Sequence, residues 1–167
     1  MNLLLAAIRL IHIVSAFAWV GLSTVTTVYI LPTATATGEN GLRFFKALVT
    51  RTPINVVFAA SSGITVLMGI ILYLLGASSH YTSVGQIVLG IGALAGLAAG
   101  IHGGAVVGRD SRAFAEALEK QVPDGQPIAA DALTSLTAAE RSLGEHARIS
   151  LILTAIALIG MASARYL

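Results

Sequence analysis

The chain has 167 residues, of which 56% are hydrophobic and 11% charged, well below the roughly one quarter of charged residues in soluble domains; this excludes an ordinary water-soluble fold. The formal net charge of +2 bears on membrane orientation rather than on nucleic acid, for which no module is present. With no cysteine in the sequence, disulfides, thiolate metal sites, iron–sulfur clusters and cysteine nucleophiles are all excluded, so any redox chemistry must borrow a cofactor.

A hydrocarbon core about 30 Å thick needs about 20 apolar helical residues. Four segments reach that length: residues 10–31, 53–75, 85–107 and 146–167. The first apolar run, beginning at Leu3, has no basic leader and exceeds the core of about 7 to 15 residues in a signal peptide, so it reads as a retained span. Leu31-Pro32 marks its exit, and Thr52 with Pro53 suits a helix start. The link between spans two and three, residues 76–83, is short and uncharged, which predicts an antiparallel hairpin. The link between spans three and four reads as helix, break, helix: residues 109–121, then Val122-Pro-Asp-Gly-Gln-Pro127, then helix from Ile128 onward. Thr137-Ala-Ala-Glu140 has capping-box spacing, which predicts that the last helix starts ahead of its membrane segment. The expected fold is all-α: one transmembrane domain over residues 1–167, an integral membrane four-helix bundle with a helical cytoplasmic extension, residues 109–145, between spans three and four.

Lys and Arg in short loops set orientation. Arg43, Lys46 and Arg51 lie between spans one and two, and Arg109, Arg112, Lys120, Arg141 and Arg148 between spans three and four, whereas Arg9 and Arg165 fall on the other side. Both termini are therefore expected outside, with loops 32–52 and 108–145 cytoplasmic, in the inner (plasma) membrane of a bacterial cell.

Gly92, Gly96, Gly100, Gly104 and Gly108 recur at every fourth position of the third span. Such a ridge lets another helix backbone approach closely. Its use is either the core of a tight bundle or the face of a homodimer or larger membrane complex.

Ionisable residues inside a bilayer are costly and become functional candidates by default. Arg9, His12, Ser15, Trp19, Ser23 and Thr26 recur at three- and four-residue steps, so they form one stripe along the first helix. The bland reading has His12 donating to a neighbouring backbone carbonyl, Arg9 snorkelling to headgroups and Trp19 packing.

The run Arg9-Leu-Ile-His12, then Trp19-Val-Gly21, then Tyr29-Ile-Leu-Pro32 resembles the opening helix of a broad family of small bacterial membrane proteins. That family includes the copper-resistance-D-type proteins and the haem-associated membrane protoporphyrinogen oxidase type. The resemblance covers about one span of four. It implies that His12 is a ligand to haem b or a metal ion. The oxidase type is also expected to carry a lysine on its third helix, and none lies between Gly85 and Val107.

Depth arithmetic limits the second ligand. At about 1.5 Å per residue, His12 lies about 12 Å toward the outer face and His102 about 9 Å toward the cytoplasm. Axial nitrogens on one iron sit about 4 Å apart, twice a metal–nitrogen bond, so those two cannot share a haem. Methionine also serves opposite histidine; Met161, and less well Met68, fall at the depth of His12. His102 and His146 share a side, but on this drawing His102 lies about one and a half turns deeper, so a shared metal ion requires the last helix to enter further. His80, on the hairpin, pairs with His12 only if it is not solvated.

These observations predict a small membrane redox-type protein with haem or metal near His12. The alternative is a non-catalytic subunit packing by its glycine ridge in a larger complex. A transporter ranks last, because the spans hold no acidic residue.

Overall fold

The structure, a computed structural model, describes residues 3–76 and 83–167. The hairpin expected at residues 76–83, with His80, lies for the most part outside the described residues. Five helices carry the fold: α1 (Leu3–Ala36), α2 (Glu39–Arg51), α3 (Ile54–Gly76), α4 (Val84–Gln121) and α5 (Ala130–Ser163, with a 3₁₀ turn to Tyr166). Four of them, all except α2, are long and apolar enough to cross a membrane. Large apolar side chains such as Phe17, Leu94 and Ile159 point outward, 81%, 69% and 67% exposed, which suits lipid and not water. The chain is a small multi-pass membrane protein.

Two helices of the bundle, α1 and α4, change helical type along their length. In α1 the residues Val25–Ile30 form a π turn, closed by the Leu31 N–H on the Thr26 carbonyl. Pro32 explains its place: proline has no N–H for the Val28 carbonyl and its ring presses on that group, and the wider turn relieves both. In α4 the π turn is Gly103–Val107, closed by the Gly108 N–H on the Gly103 carbonyl. Two adjacent glycines there give the α-helix little local support.

Helix α1 packs chiefly on α3, and α4 on α5. At the second crossing a Cβ on Gly160 would lie 3.0 Å from the Gly92 Cα, and one on Gly92 3.0 Å from the Met161 nitrogen, so the two backbones touch. Gly96 meets Ala157, and Gly100 meets Val66 of α3. The glycine ridge is thus filled from inside the bundle over most of its length, while Gly104 has nothing within 4 Å.

At the charged end the helices run past the apolar spans and build a second core. Leu31 and Ala34 of α1, Leu42 and Phe45 of α2, Phe114 and Leu118 of α4, and Leu136 and Leu143 of α5 are buried together with Val122 and Ile128. Rings Phe45 and Phe114 tilt against each other at 5.4 Å. Helix α2 turns its apolar face to this core, and its basic face grips the break after α4. Arg43 donates to the Pro123 carbonyl at 2.7 Å and to that of Gln126, while Lys46 donates to the Val122 carbonyl at 2.6 Å and to Asp124 at 3.1 Å. Gly125 sits in this turn at φ +72°, where a side chain is strained.

The last helix does start ahead of its membrane segment, but not at Thr137, so no capping box forms there. Helix α5 starts at Ala130 after Ala129, seven residues before Thr137, and Ala129 offers no side-chain cap. Thr137 instead donates backward to the Leu133 carbonyl at 2.8 Å. A three-residue spacing also fits the inside of a helix, where threonine bonds to the fourth residue before it, and the apolar face begun by Leu133 and Leu136 carries the helix through.

Candidate functional site

Of the α1 stripe, Ser15 and Trp19 are buried, His12, Ser23 and Thr26 are half-buried and Arg9 is exposed; Thr27, one residue off the stripe, is buried as well. Opposite them, the small residues of α3 leave room for polar contact. The Thr65 hydroxyl donates to the Ser15 oxygen at 3.0 Å and to the Ser61 carbonyl at 2.7 Å, and Ser15 donates to the Ile11 carbonyl at 2.8 Å. His12 Nδ1 lies 2.9 Å from the Thr65 carbonyl, which only an Nδ1–H can satisfy, so the neutral ring keeps Nε2 bare. The ring rests on Gly69, where a Cβ would come within 3.0 Å of its carbon. His12 therefore makes the carbonyl contact of the bland reading, and that same contact fixes the tautomer a metal ligand needs.

The structure brings His102 and His146 together, their ring centres 6.1 Å apart and nearly perpendicular. Register explains this. With Gly92 set on Gly160, His102 lies ten residues beyond the crossing on α4, Ser150 ten before it on α5, and His146 fourteen before it. His102 and Ser150 are therefore level, and His146 is about 6 Å further along the axis. The depth drawn from sequence placed His102 a turn and a half deeper; the crossing point, invisible to hydropathy, sets the true offset. His102 Nδ1 meets the Ser150 hydroxyl at 2.8 Å, and His146 Nδ1 donates to Asp110 Oδ2 at 2.7 Å. Asp110 also accepts from Arg109 at 3.2 Å.

The other expected ligands lie elsewhere. Met161 sits against the glycine ridge, its terminal methyl 3.6 Å from where a Cβ on Gly96 would be, and Trp19 is buried, 7% exposed. Among the described residues no group of three or more His, Asp and Glu side chains is placed to hold a metal ion, so His102 and His146 form at most a two-nitrogen site. Two imidazoles on one ion, with bonds of about 2 Å, have ring centres about 5 Å apart at a tetrahedral angle and about 6 Å when nearly opposite.

Three residues escaped the sequence reading. Ser150 had a signal, since it follows His146 by four residues on the same helical face. Asp110 had none, because its partner is 36 residues away. Glu140, taken for half of a capping box, is 2% exposed, and the Thr35 hydroxyl beside its carboxylate is directed to the Leu31 carbonyl at 3.1 Å, which leaves both oxygens poorly satisfied among the described residues. Glu140 belongs to the charged-end core, beyond the spans, where burial pushes its carboxyl above the usual range.

Comparison with protein-family models, with curated proteins and with solved structures finds no match.

Proposed function

We propose that this small membrane protein binds a transition-metal ion of the zinc or copper class through His102 and His146, where the spans meet the charged-end core. The supporting observation is that each imidazole is already held by Nδ1, one on Ser150 and one on Asp110, leaving Nε2 without a partner among the described residues. A ligating histidine is ordinarily oriented in this way by its other nitrogen. With two protein nitrogens and water completing the shell, the ion would be exchangeable. Copper there would give the redox role expected from the sequence. The basic residues around this end favour its placement on the cytoplasmic side of an inner membrane, with both termini outside.

A second reading keeps haem b on His12, supported by the fixed tautomer at Thr65. One preparation in detergent tests both. Metal analysis should give about one ion per chain, lost in His102→Ala and in His146→Ala, and an absorption spectrum should show haem bands lost in His12→Ala. A colourless preparation that takes up neither Zn²⁺ nor Cu²⁺ overturns both readings.

A further inference from the structure

Between α1 and α5, at the start of the charged-end core, a crevice of about 550 Å³ is lined by Thr27, Leu31 and Thr35 on one side and by Glu140, Arg141, Glu145 and Arg148 on the other, Glu145 being exposed at the rim. Two features of the chain produce it. The π turn ahead of Pro32 widens α1 and shifts its register, so that Thr27, Leu31 and Thr35 all face α5. On α5, Gly144 brings no side chain to the gap.

The wall chemistry is zwitterionic. Glu140 lies in it with both carboxylate oxygens buried; the Thr35 hydroxyl stands beside them but donates to the Leu31 carbonyl at 3.1 Å, so the carboxylate is short of donors among the described residues, a cost of burial that calls for one. The side chains of Arg141 and Arg148 are exposed at the rim, and among the described residues no hydrogen bond or ion pair engages them. Beyond Arg148 the helix carries no charged residue until Arg165, so the crevice opens where a bilayer has its headgroups.

We propose that this crevice holds the headgroup of an aminophospholipid, its primary ammonium on Glu140 and its phosphate on Arg141 and Arg148, with the acyl chains against the apolar outer face of the bundle. A primary ammonium brings three donors to two acceptor oxygens, which a trimethylated headgroup cannot do. A bare cation would leave both arginines unanswered, and a phosphate alone would leave Glu140 so. The assignment is independent of any metal at His102 and His146.

The test is native mass spectrometry of the detergent-purified protein titrated with phosphatidylethanolamine and, separately, with phosphatidylcholine of matched chains. The expected result is binding of phosphatidylethanolamine about tenfold tighter, the size of a charged hydrogen bond, with that preference falling to about one in Glu140→Gln. Arg148→Gln, at an exposed site, should weaken both lipids alike and leave the preference intact, which keeps the test open should Glu140→Gln misfold. Equal binding of the two lipids by the wild-type chain, or a preference untouched by Glu140→Gln, overturns the proposal. Competition by glycerophosphoethanolamine as strong as by the intact lipid overturns the membrane as the source of the ligand.

Discussion

The spanning bundle and the charged-end core are built from the same helices but by opposite rules. In the bundle the buried positions, Trp19 apart, are small or polar, such as Ser15, Ser61, Thr65, Gly92 and Gly160, and most large apolar side chains face outward. At the charged end the large ones face inward, with Phe114, Leu118 and Leu136 at most 2% exposed. The reason is the solvent. Lipid gives apolar side chains no reason to leave it, so spanning helices associate by backbone approach and hydrogen bonds, whereas water drives the extensions together by apolar area.

The sharpest test of that contrast is one truncation made in both regions. Leu118→Ala should cost about 2 to 5 kcal/mol, as for a filled water-excluded core. Leu94→Ala, on the lipid face, should change stability by less than about 0.5 kcal/mol. Equilibrium unfolding in mixed micelles measures both, and equal losses would erase the distinction between the regions.

Adding a methyl group should sort the bundle differently. Gly160→Ala drives a Cβ onto the Gly92 Cα and, at 3.1 Å, the Val88 carbonyl. Backbone cannot step aside, so α4 and α5 must part, at about 1 to 3 kcal/mol. Gly63→Ala, with nothing within 4 Å, should lose nothing. Parting α4 from α5 also moves Ser150 away from His102, so Gly160→Ala should weaken any metal binding at His102 while Gly63→Ala leaves it unchanged.

How much of this the sequence carried follows from the same division. Spans are a matter of length and hydropathy, so residues 10–31, 53–75, 85–107 and 146–167 fall within described helices except for the end residues Pro53 and Leu167. The α4 extension was legible too, because Phe114 and Leu118 sit one turn apart amid charges. Interhelical register was not. It depends on which glycine meets which, and Gly160 is one of several small residues on α5, so the pairing of His102 with His146 could not be drawn from depth alone. The π turn of α1 was marked only by Pro32, which reads equally well as a helix exit. Glu140 was misread because the three-residue spacing of a capping box is also the spacing of one helical face.

Glu140 is the exception inside the charged-end core and should behave as one. In lipid-free detergent, Glu140→Met removes a poorly satisfied buried carboxyl at similar volume and should stabilise the protein by about 1 to 3 kcal/mol. A loss of stability instead would mean that the carboxyl is satisfied by a group within the chain.

The smallest effect separates two carboxyl groups of the charged end by the sign of their response to acid. The carboxyl of Glu140 is held above its ordinary range by burial, so the folded state takes up its proton before the unfolded state does. Lowering the pH through that folded value should therefore stabilise the protein, with the gain complete below the ordinary glutamate range. Asp124 is held below its ordinary range, first by the hydrogen bond from Lys46 and then by the Lys46 charge. Its contribution is present above the ordinary aspartate range and is lost as the pH falls through the lowered folded value; being fully solvent-facing, it is the weaker of the two. Thermal unfolding across that range should show a rise followed by a shallower fall. Glu140→Gln should remove the rise alone, and Asp124→Asn should make the fall shallower, the remainder belonging to Asp110, which the hydrogen bond from His146 also holds below its ordinary range. Loss of both limbs in either variant would show that the α2 clamp on the turn and the buried carboxyl on α5 act as one unit.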